Sequence, residues 1–569
     1  MKIIPKPISE ASVQQLVATG IHPLLARLYV ARGVQSADEL DPALAKLLPP
    51  SSLMGTEVAA RVLADAIARQ QHICIVADYD CDGATACAVA VRGLRMLGAQ
   101  HVSYEVPDRI NDGYGLSAPI ARRVKDKGAD VLVTVDNGIG SVDGVAAAMQ
   151  LGLTVVVTDH HLPGDVLPTP HAMVNPNQPG CPFESKAMAG CGVMFYVLLA
   201  LRSELRARGV FTPQNQPKLD TLLPLVALGT VADVVKLDAN NRRLVAQGLQ
   251  RIRKGHMQAG IQALYEAAGR DFRQACTSDF GFTLGPRINA AGRLADMTIG
   301  IECLTTDDYS VALELARTLN RINRERQEIE GDMRQQAFLL ADTLFEDGIT
   351  PPAAISVFDP DFHEGVVGIV ASRVKDRLHR PTFVFAASAA EGKSHELKGS
   401  GRSIPGFHLR DALDLVGKRH PGLLLRFGGH AMAAGCTIPE ERFEEFEQAF
   451  SKVAQEWLDA ATLTRCVETD GPLPPSFRYA AMVEELNLGV WGQGFAHPTF
   501  SEEVEVVSQR LVGEKHLKLQ LLHQGDVVDG IWFGRTEPVP ERVHMAFRLD
   551  INEWRGERKV QFLIEGAEC

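Results

Sequence analysis

Three short runs of apolar, mostly β-branched residues, ICIVA (73–77), VLVTV (131–135) and TVVVT (154–158), recur between Ala-rich segments of helical period. A run with no polar alternation cannot lie in a sheet with one wet face, so these strands must be covered on both sides. The rhythm therefore predicts an α/β fold with a parallel sheet, from Gly55 to about Leu264.

At 569 residues the chain is too long for that domain alone. Residues 1–50 read as a helical lead-in, and 51–304 as the parallel-sheet domain. Over 305–345, Ala312, Leu315, Leu319, Ile322, Ile329 and Met333 fall mostly three or four apart, which predicts a long connecting helix with Gly331 as an irregularity. Residues 346–460 form a second α/β segment. Beyond Asp470-Gly471-Pro472 the pattern turns to short strands, so 465–569 is expected to be a small barrel of the OB type, a frequent single-strand nucleic-acid platform.

Net charge is −12, from 58 Lys plus Arg against 70 Asp plus Glu, which excludes a molecule-wide electrostatic glove for nucleic acid. A polyanion must be met by a local patch or by metal ions. The ten cysteines form no C-x-x-C pair and read as buried thiols. No apolar run approaches the length of a membrane span, and MKIIPKPISEASVQQ lacks the features of a secretory signal. The expectation is a cytoplasmic protein, without membrane contact and monomeric.

The ends of the apolar runs carry the chemistry. Asp78-Tyr79-Asp80-Cys81-Asp82-Gly83 places three carboxylates at alternate positions after the first strand. Taken alone this is either an acidic helix cap or a cation site. The second strand ends at Asp136, the third at Asp159, His160 and His161, and a later apolar run, LVALGTVADVV, delivers Asp233. In open parallel sheets the carboxyl ends of strands form the ligand crevice, so these groups can converge. Several carboxylates with an imidazole suit two Mn²⁺ or Mg²⁺ ions, which would favour phosphodiester or phosphoanhydride hydrolysis.

DYDCDG, VDNG, TDHH and GTVADVV resemble the four successive motifs of the DHH phosphoesterase superfamily, and RFGGHAMAAG (426–435) resembles the GGH motif of its accessory DHHA1 domain. VPDRINDGYGLS, GPRINAAGR, FHEGVVGIVASR, LKGSGRSIPG, VWGQGF and VGEKHLKL extend the likeness over most of the chain, in the order of the superfamily's bacterial single-strand exonuclease branch. The resemblance implies a DHH domain and a DHHA1 domain joined by the long helix, followed by an OB-like barrel. It implies 5′ to 3′ hydrolysis of single-stranded DNA to mononucleotides with Mn²⁺ or Mg²⁺, in recombination and repair. Single-strand-binding protein, helicase and mismatch-repair proteins are the partners it implies.

Carried onto this chain, the metal candidates are Asp78, Asp80, Asp82, Asp136, His160 and Asp233, with Asp136 as the bridge. Asp136, His160 and His161 are the catalytic candidates. His161 is left between the ion and the scissile phosphate, and Asp159 is placed behind the ligands. Cys81 departs from the small apolar residue common there. Ser400-Gly401-Arg402-Ser403 reads as a Gly-rich turn for a terminal phosphate. Arg109, Arg287, Arg293 and Gln327 are further phosphate or DNA candidates. Gly428-Gly429-His430 is either a tight turn before a small-residue helix or a backbone approach that lets His430 touch the strand. In the barrel, nine Lys plus Arg against thirteen Asp plus Glu over 501–569 leave room only for a narrow binding face. Lys515, His516, Lys518 and Arg555 are assigned to it, with Trp554 as a stacking surface or core residue; Trp491 reads as core or hinge packing.

Three rivals share parts of this pattern. A phosphodiesterase of oligoribonucleotides or cyclic dinucleotides needs no barrel, and a pyrophosphatase leaves the third domain without work. An inactive DNA-binding scaffold predicts lost ligands, whereas the carboxylates and His160 are all present.

Overall fold

The apolar runs form the centre of a five-stranded parallel sheet in the computed structural model, which describes all residues except 110–111, 343, 345–351, 391, 394, 555–556 and 569, with Trp554 described for its backbone alone. The strands are β1 (Ile73–Ala77), β2 (Val102–Glu105), β3 (Val131–Val135), β4 (Thr154–Thr158) and β5 (Ala172–Val174), in the order β2-β1-β3-β4-β5. Every residue of β1 and β3 is buried, as strands covered on both faces require. The covering helices include α1 (Cys81–Met96), α2 (Gly190–Ala207) and α3 (Leu223–Ala232); further along come α4 (Gly285–Leu294) and α5 (Tyr309–Asp342).

The chain divides into two compact units. The larger holds residues 3–322 and 468–569, and the smaller holds 1–2 and 323–467. Helix α5 contributes to both and runs 34 residues through Gly331 without a break, so the expected irregularity is absent. Buried Ala312, Ala316, Leu319, Ile322, Met333, Ala337 and Ala341 recur along it at helical spacing. The lead-in is less purely helical than expected: a strand, Lys2–Pro5, precedes the helices Glu10–Ala18 and Pro23–Val30.

In the smaller unit a mixed sheet has the order β9-β10-β8-β7-β6, built from β6 (Ile355–Phe358), β7 (Thr382–Ala387), β8 (Glu396–Arg402), β9 (Arg426–Gly429) and β10 (Ala433–Pro439). Phe383, Phe385, Phe446 and Phe450 are fully buried and make its core. Two sequence expectations fail here. Ser400-Gly401-Arg402 is strand rather than turn: Gly399 and Gly401 sit under the rings of Phe385 and Phe383, where a Cβ would lie 2.3 and 2.4 Å from ring carbons. The small residues after His430 are strand β10, not a helix. They pair with β8, Ala433 against Arg402, so Gly428-Gly429-His430 belongs to a β-hairpin.

The C-terminal strands β11 (Phe500–Val512), β12 (His516–His523), β13 (Asp526–Phe533), β14 (Arg542–Trp554) and β15 (Glu557–Glu568) close into the expected barrel. Leu517, Leu519 and Leu521 alternate inward along β12, and the rings of Phe547 and Phe562 stack at 3.9 Å inside. Trp491 is buried beside it and donates its indole N–H to Leu486 O. Seven of the nine described cysteines are buried and none is in a disulfide. Among the described residues no helix is long and apolar enough to cross a membrane.

Candidate metal centre

The groups that end β1, β3 and β4 meet at the carboxyl edge of the parallel sheet. Asp78 follows β1, is buried, and accepts Tyr79 N on Oδ1 at 2.7 Å. Asp80 caps α1 through Oδ1, which accepts Gly83 N at 2.9 Å. The two readings of the motif are thus compatible, because Asp80 also has a ligand atom within 4.8 Å of those of Asp78 and Asp136. Asp82 reaches to the start of α2 and accepts Gly190 N and, at 3.0 Å, Cys191 N. The partial positive charge of that helix end favours the anion.

Asp136 ends β3 with φ at +62°, a conformation that costs a non-glycine residue of order 1–3 kcal/mol and is retained where the surroundings over-determine it. Gly190 makes room for it: a Cβ there would stand 2.6 Å from Asp136 Cβ. Asp233 is the C-terminal cap of α3, so the fourth acidic segment arrives from a helix end rather than a strand. His160 Nε2 lies 3.0 Å from Asp136 Oδ1, 3.5 Å from Asp233 Oδ2 and 4.0 Å from Asp82 Oδ2.

Asp159 faces away from this cluster. It accepts Ile139 N at 2.8 Å, His160 N at 2.7 Å, His161 N at 3.1 Å and His161 Nδ1 at 2.8 Å. Burial opposes charge on His161, but the hydrogen bond and charge of Asp159, with Asp78 and Asp80 beyond, hold its imidazolium up to about 9. Asp159 itself, in spite of burial, is lowered by His161.

Three overlapping groups could each hold a cation: Asp78 with Asp80 and Asp136; Asp82 with His160 and Asp233; and Asp136 with His160 and His161. Burial first, then neighbouring carboxylates, drives Asp78, Asp136 and Asp233 well above the usual carboxylate range and Asp82 to about 6. Asp136 Oδ1 and Asp233 Oδ2 are closed off from solvent and accept no hydrogen bond. Buried anions that repel one another and present orphaned oxygens to a common point fit divalent cations.

The remaining sequence candidates are distributed. Arg109 is exposed over the Tyr79 ring, 5.1 Å from its centroid. Arg287 and Arg293 lie on α4, whose Asn289 Oδ1 accepts Cys81 N at 2.7 Å. Gln327, Ser400, Arg402 and His430 belong to the smaller unit; there Arg402 Nη1 donates to Ser400 Oγ at 3.1 Å. Lys515 is exposed in the β11–β12 turn, and Lys518 faces out from β12, 3.5 Å from Asp529. Arg555 lies outside the described residues.

Sequence reasoning missed several supports. Tyr114 Oη donates to Asp136 O at 3.1 Å and lies 3.3 Å from both ring nitrogens of His161. Asn175 and Asn177 donate to the carbonyls of His161 and His160 at 3.0 and 2.6 Å. Neutral groups like these leave no charge pattern, and the asparagines sit in VNPNQPG, which reads as a turn.

Residues 72–230 match the DHH family, N-terminal domain; 350–456 match the DHHA1 domain; and 469–566 match the RecJ OB domain. The single-stranded-DNA-specific exonuclease RecJ of Salmonella typhimurium is 47 % identical over 98 % of this chain and 97 % of its own length. Its counterpart from Escherichia coli is 47 % identical over 95 % of each. The crystal structure of RecJ from Thermus thermophilus in complex with Mn²⁺ covers all of this chain and 79 % of its own, with a TM-score of 0.83 at 31 % identity. With identity of this level running through all three domains and the acidic cluster in place, the chain belongs to the RecJ family.

Proposed function

We propose that this protein is a single-stranded-DNA-specific exonuclease that hydrolyses phosphodiesters from the 5′ end to mononucleotides with two divalent ions, Mn²⁺ or Mg²⁺, in DNA recombination and repair. The observation that carries this reading is the set of three groups able to hold a cation, which are linked through Asp136 and His160. The relatives' names supply the substrate class, and related structures contain Mn²⁺ or Mg²⁺. Contacts with a single-strand-binding protein, a helicase and mismatch-repair proteins follow from the family resemblance, and work as a monomer in the cytoplasm is carried over from the reading of the sequence.

Asp78 and Asp80 would hold one ion, Asp82, His160 and Asp233 the other, with Asp136 shared. Divalent ions there supply Lewis-acid polarisation of a phosphoryl oxygen and activation of water. His161 has a different task. Its Nδ1 is engaged by Asp159, which favours the charged ring, and this suits it to bind a phosphate oxygen. Ser400 and Arg402 supply a hydroxyl and a guanidinium for a terminal 5′-phosphate. Arg109, Arg287, Arg293, Gln327 and His430 guide the strand, and Lys515 and Lys518, with Arg555, give the barrel its narrow cationic face.

The test is degradation with Mn²⁺ of 5′-phosphorylated single strands, duplexes and short RNA. Mononucleotides from single-stranded DNA are expected; preference for duplex, or no DNA cleavage, overturns the reading. Arg402→Ala should erase the preference for phosphorylated over hydroxyl 5′ ends while long strands still bind. An unchanged preference removes Arg402 from that role.

A further inference from the structure

The most exposed large apolar side chain among the described residues is Phe282, at 85 %. Its neighbours Phe280 and Leu284 are fully buried. All three lie in one π-helical turn, Phe280–Leu284, that runs directly into α4. Such turns are rare and concentrate at functional sites.

This turn packs beside the metal centre. A Cβ on Gly285 would stand 3.1 Å from Ala232 Cβ and one on Gly281 3.9 Å from Val231 Cγ1, so the turn rests on the last residues of α3, which present Asp233. The continuing helix α4 holds the loop of Asp80 and Asp82 through Asn289. Five residues after Phe282, Arg287 is pinned through Nη1 to Thr283 O and through Nε to Asn320 Oδ1 at 3.1 Å. Directly after Asp233, Val234 is 62 % exposed with φ at +62°, a conformation that β-branched residues rarely adopt.

An isolated exposed apolar residue needs no explanation, but this ring rises from a turn that packs against the helix end bearing Asp233 and leads into a helix that carries two arginines. A ligand for that combination must bring phosphate to the ions and arginines and an apolar face to the ring. An unpaired nucleotide has both. We propose that Phe282 is a base-stacking platform, on which a nucleobase next to the scissile phosphate lies, with Val234 at its flank. The inference rests on the single-strand reading above and extends it to specificity. Bases in a duplex are stacked on one another and cannot lie on the ring, whereas any unpaired base can, whatever its identity.

The test compares wild type, Phe282→Ala and Phe282→Trp on two 5′-phosphorylated oligonucleotides of equal length, one of ordinary nucleotides and one abasic over its 5′ half. On the ordinary strand Phe282→Ala should raise KM about five- to a hundredfold, the range that loss of one stacked base produces. On the abasic strand its KM should equal that of wild type. Phe282→Trp should keep a near-normal KM, and its emission should be quenched by the ordinary strand, beyond any change in wild type, and not by the abasic one. An unchanged KM in Phe282→Ala, an equal loss on both strands, or no added quenching overturns the platform. A wild type that degrades no single strand instead overturns the underlying reading, and the platform with it.

Discussion

His160 Nε2 stands 3.0 Å from Asp136 Oδ1, yet that buried oxygen accepts no hydrogen bond. The two groups are close without being aligned on each other. Atoms aimed at a common third point have this relation, and a shared cation is such a point.

Asp136→Asn should therefore remove the shared anion without disturbing the backbone, since asparagine tolerates the left-handed conformation at this position. Turnover with Mn²⁺ should fall on the order of a thousandfold, the scale of several kcal/mol of lost charge stabilisation. The melting temperature of the metal-free protein should hold or rise, because one repelling carboxylate is gone. Near-normal turnover in the purified variant contradicts the role.

Metal affinity should depend on pH with a definite sign. In the metal-free fold Asp82 is pushed up to about 6, by burial and then by Asp80. It holds a proton that the unfolded chain has released above about 4, so the metal-free fold loses stability as pH rises from about 4 through about 6. Ions must displace that proton below about 6, and also any protons held by Asp78, Asp136 and Asp233, whose carboxyls are raised well above the usual range. Calorimetry should show Mn²⁺ binding that weakens, with proton release, as pH falls through about 6. A constant Kd across this window contradicts the coupling.

The strand ends were legible because fully buried strands leave a continuous β-branched signature and the acids follow at once. Asp233 was legible only as an acid after an apolar run, since an apolar helix buried all round looks the same as a strand without periodicity. Ser400 and Arg402 read as a turn in the sequence and are strand in the structure. Glycine at 399 and 401 serves to admit phenylalanine rings from the neighbouring strand, a long-range contact with no local trace. Phe282 left no mark either, because exposure depends on what packs around a turn and not on the turn's own residues.

Asp159→Asn should lower the pKa of His161 from about 9, since the hydrogen bond and charge that raise it would be gone. In wild type the pair's stabilisation is complete between about 4 and about 6.5, is lost as pH rises through about 9, and is lost in acid as Asp159 takes up a proton, so the variant's deficit should be largest at mildly acid pH. The alkaline limb of the pH–rate profile should move down in the variant while bound Mn²⁺ per protein stays the same. An unmoved limb means that the charge on His161 does not serve the reaction.

Attachment of the barrel invites a stability prediction. Arg32 and Asp470 form a two-bonded pair at 2.9 Å each, with side chains only 2 % and 1 % exposed. Arg32 also donates to Ala496 O at 2.6 Å and Leu28 O at 2.7 Å, and Asp470 accepts Thr499 N at 2.9 Å. The pair thus ties the helix Pro23–Val30 to the segment entering β11. Asp470→Ala leaves the guanidinium buried beside the Trp491 ring, 5.1 Å from its centroid, without its anion. Removal of one partner from such a pair costs about 3–5 kcal/mol, whereas apolar replacement of both is often neutral. Denaturant unfolding should show Asp470→Ala destabilised by about that amount and Arg32→Met with Asp470→Leu much less so. If the double variant is as unstable as the single one, the hydrogen bonds to the backbone carbonyls and to Thr499, and not the charge pair, hold the barrel in place.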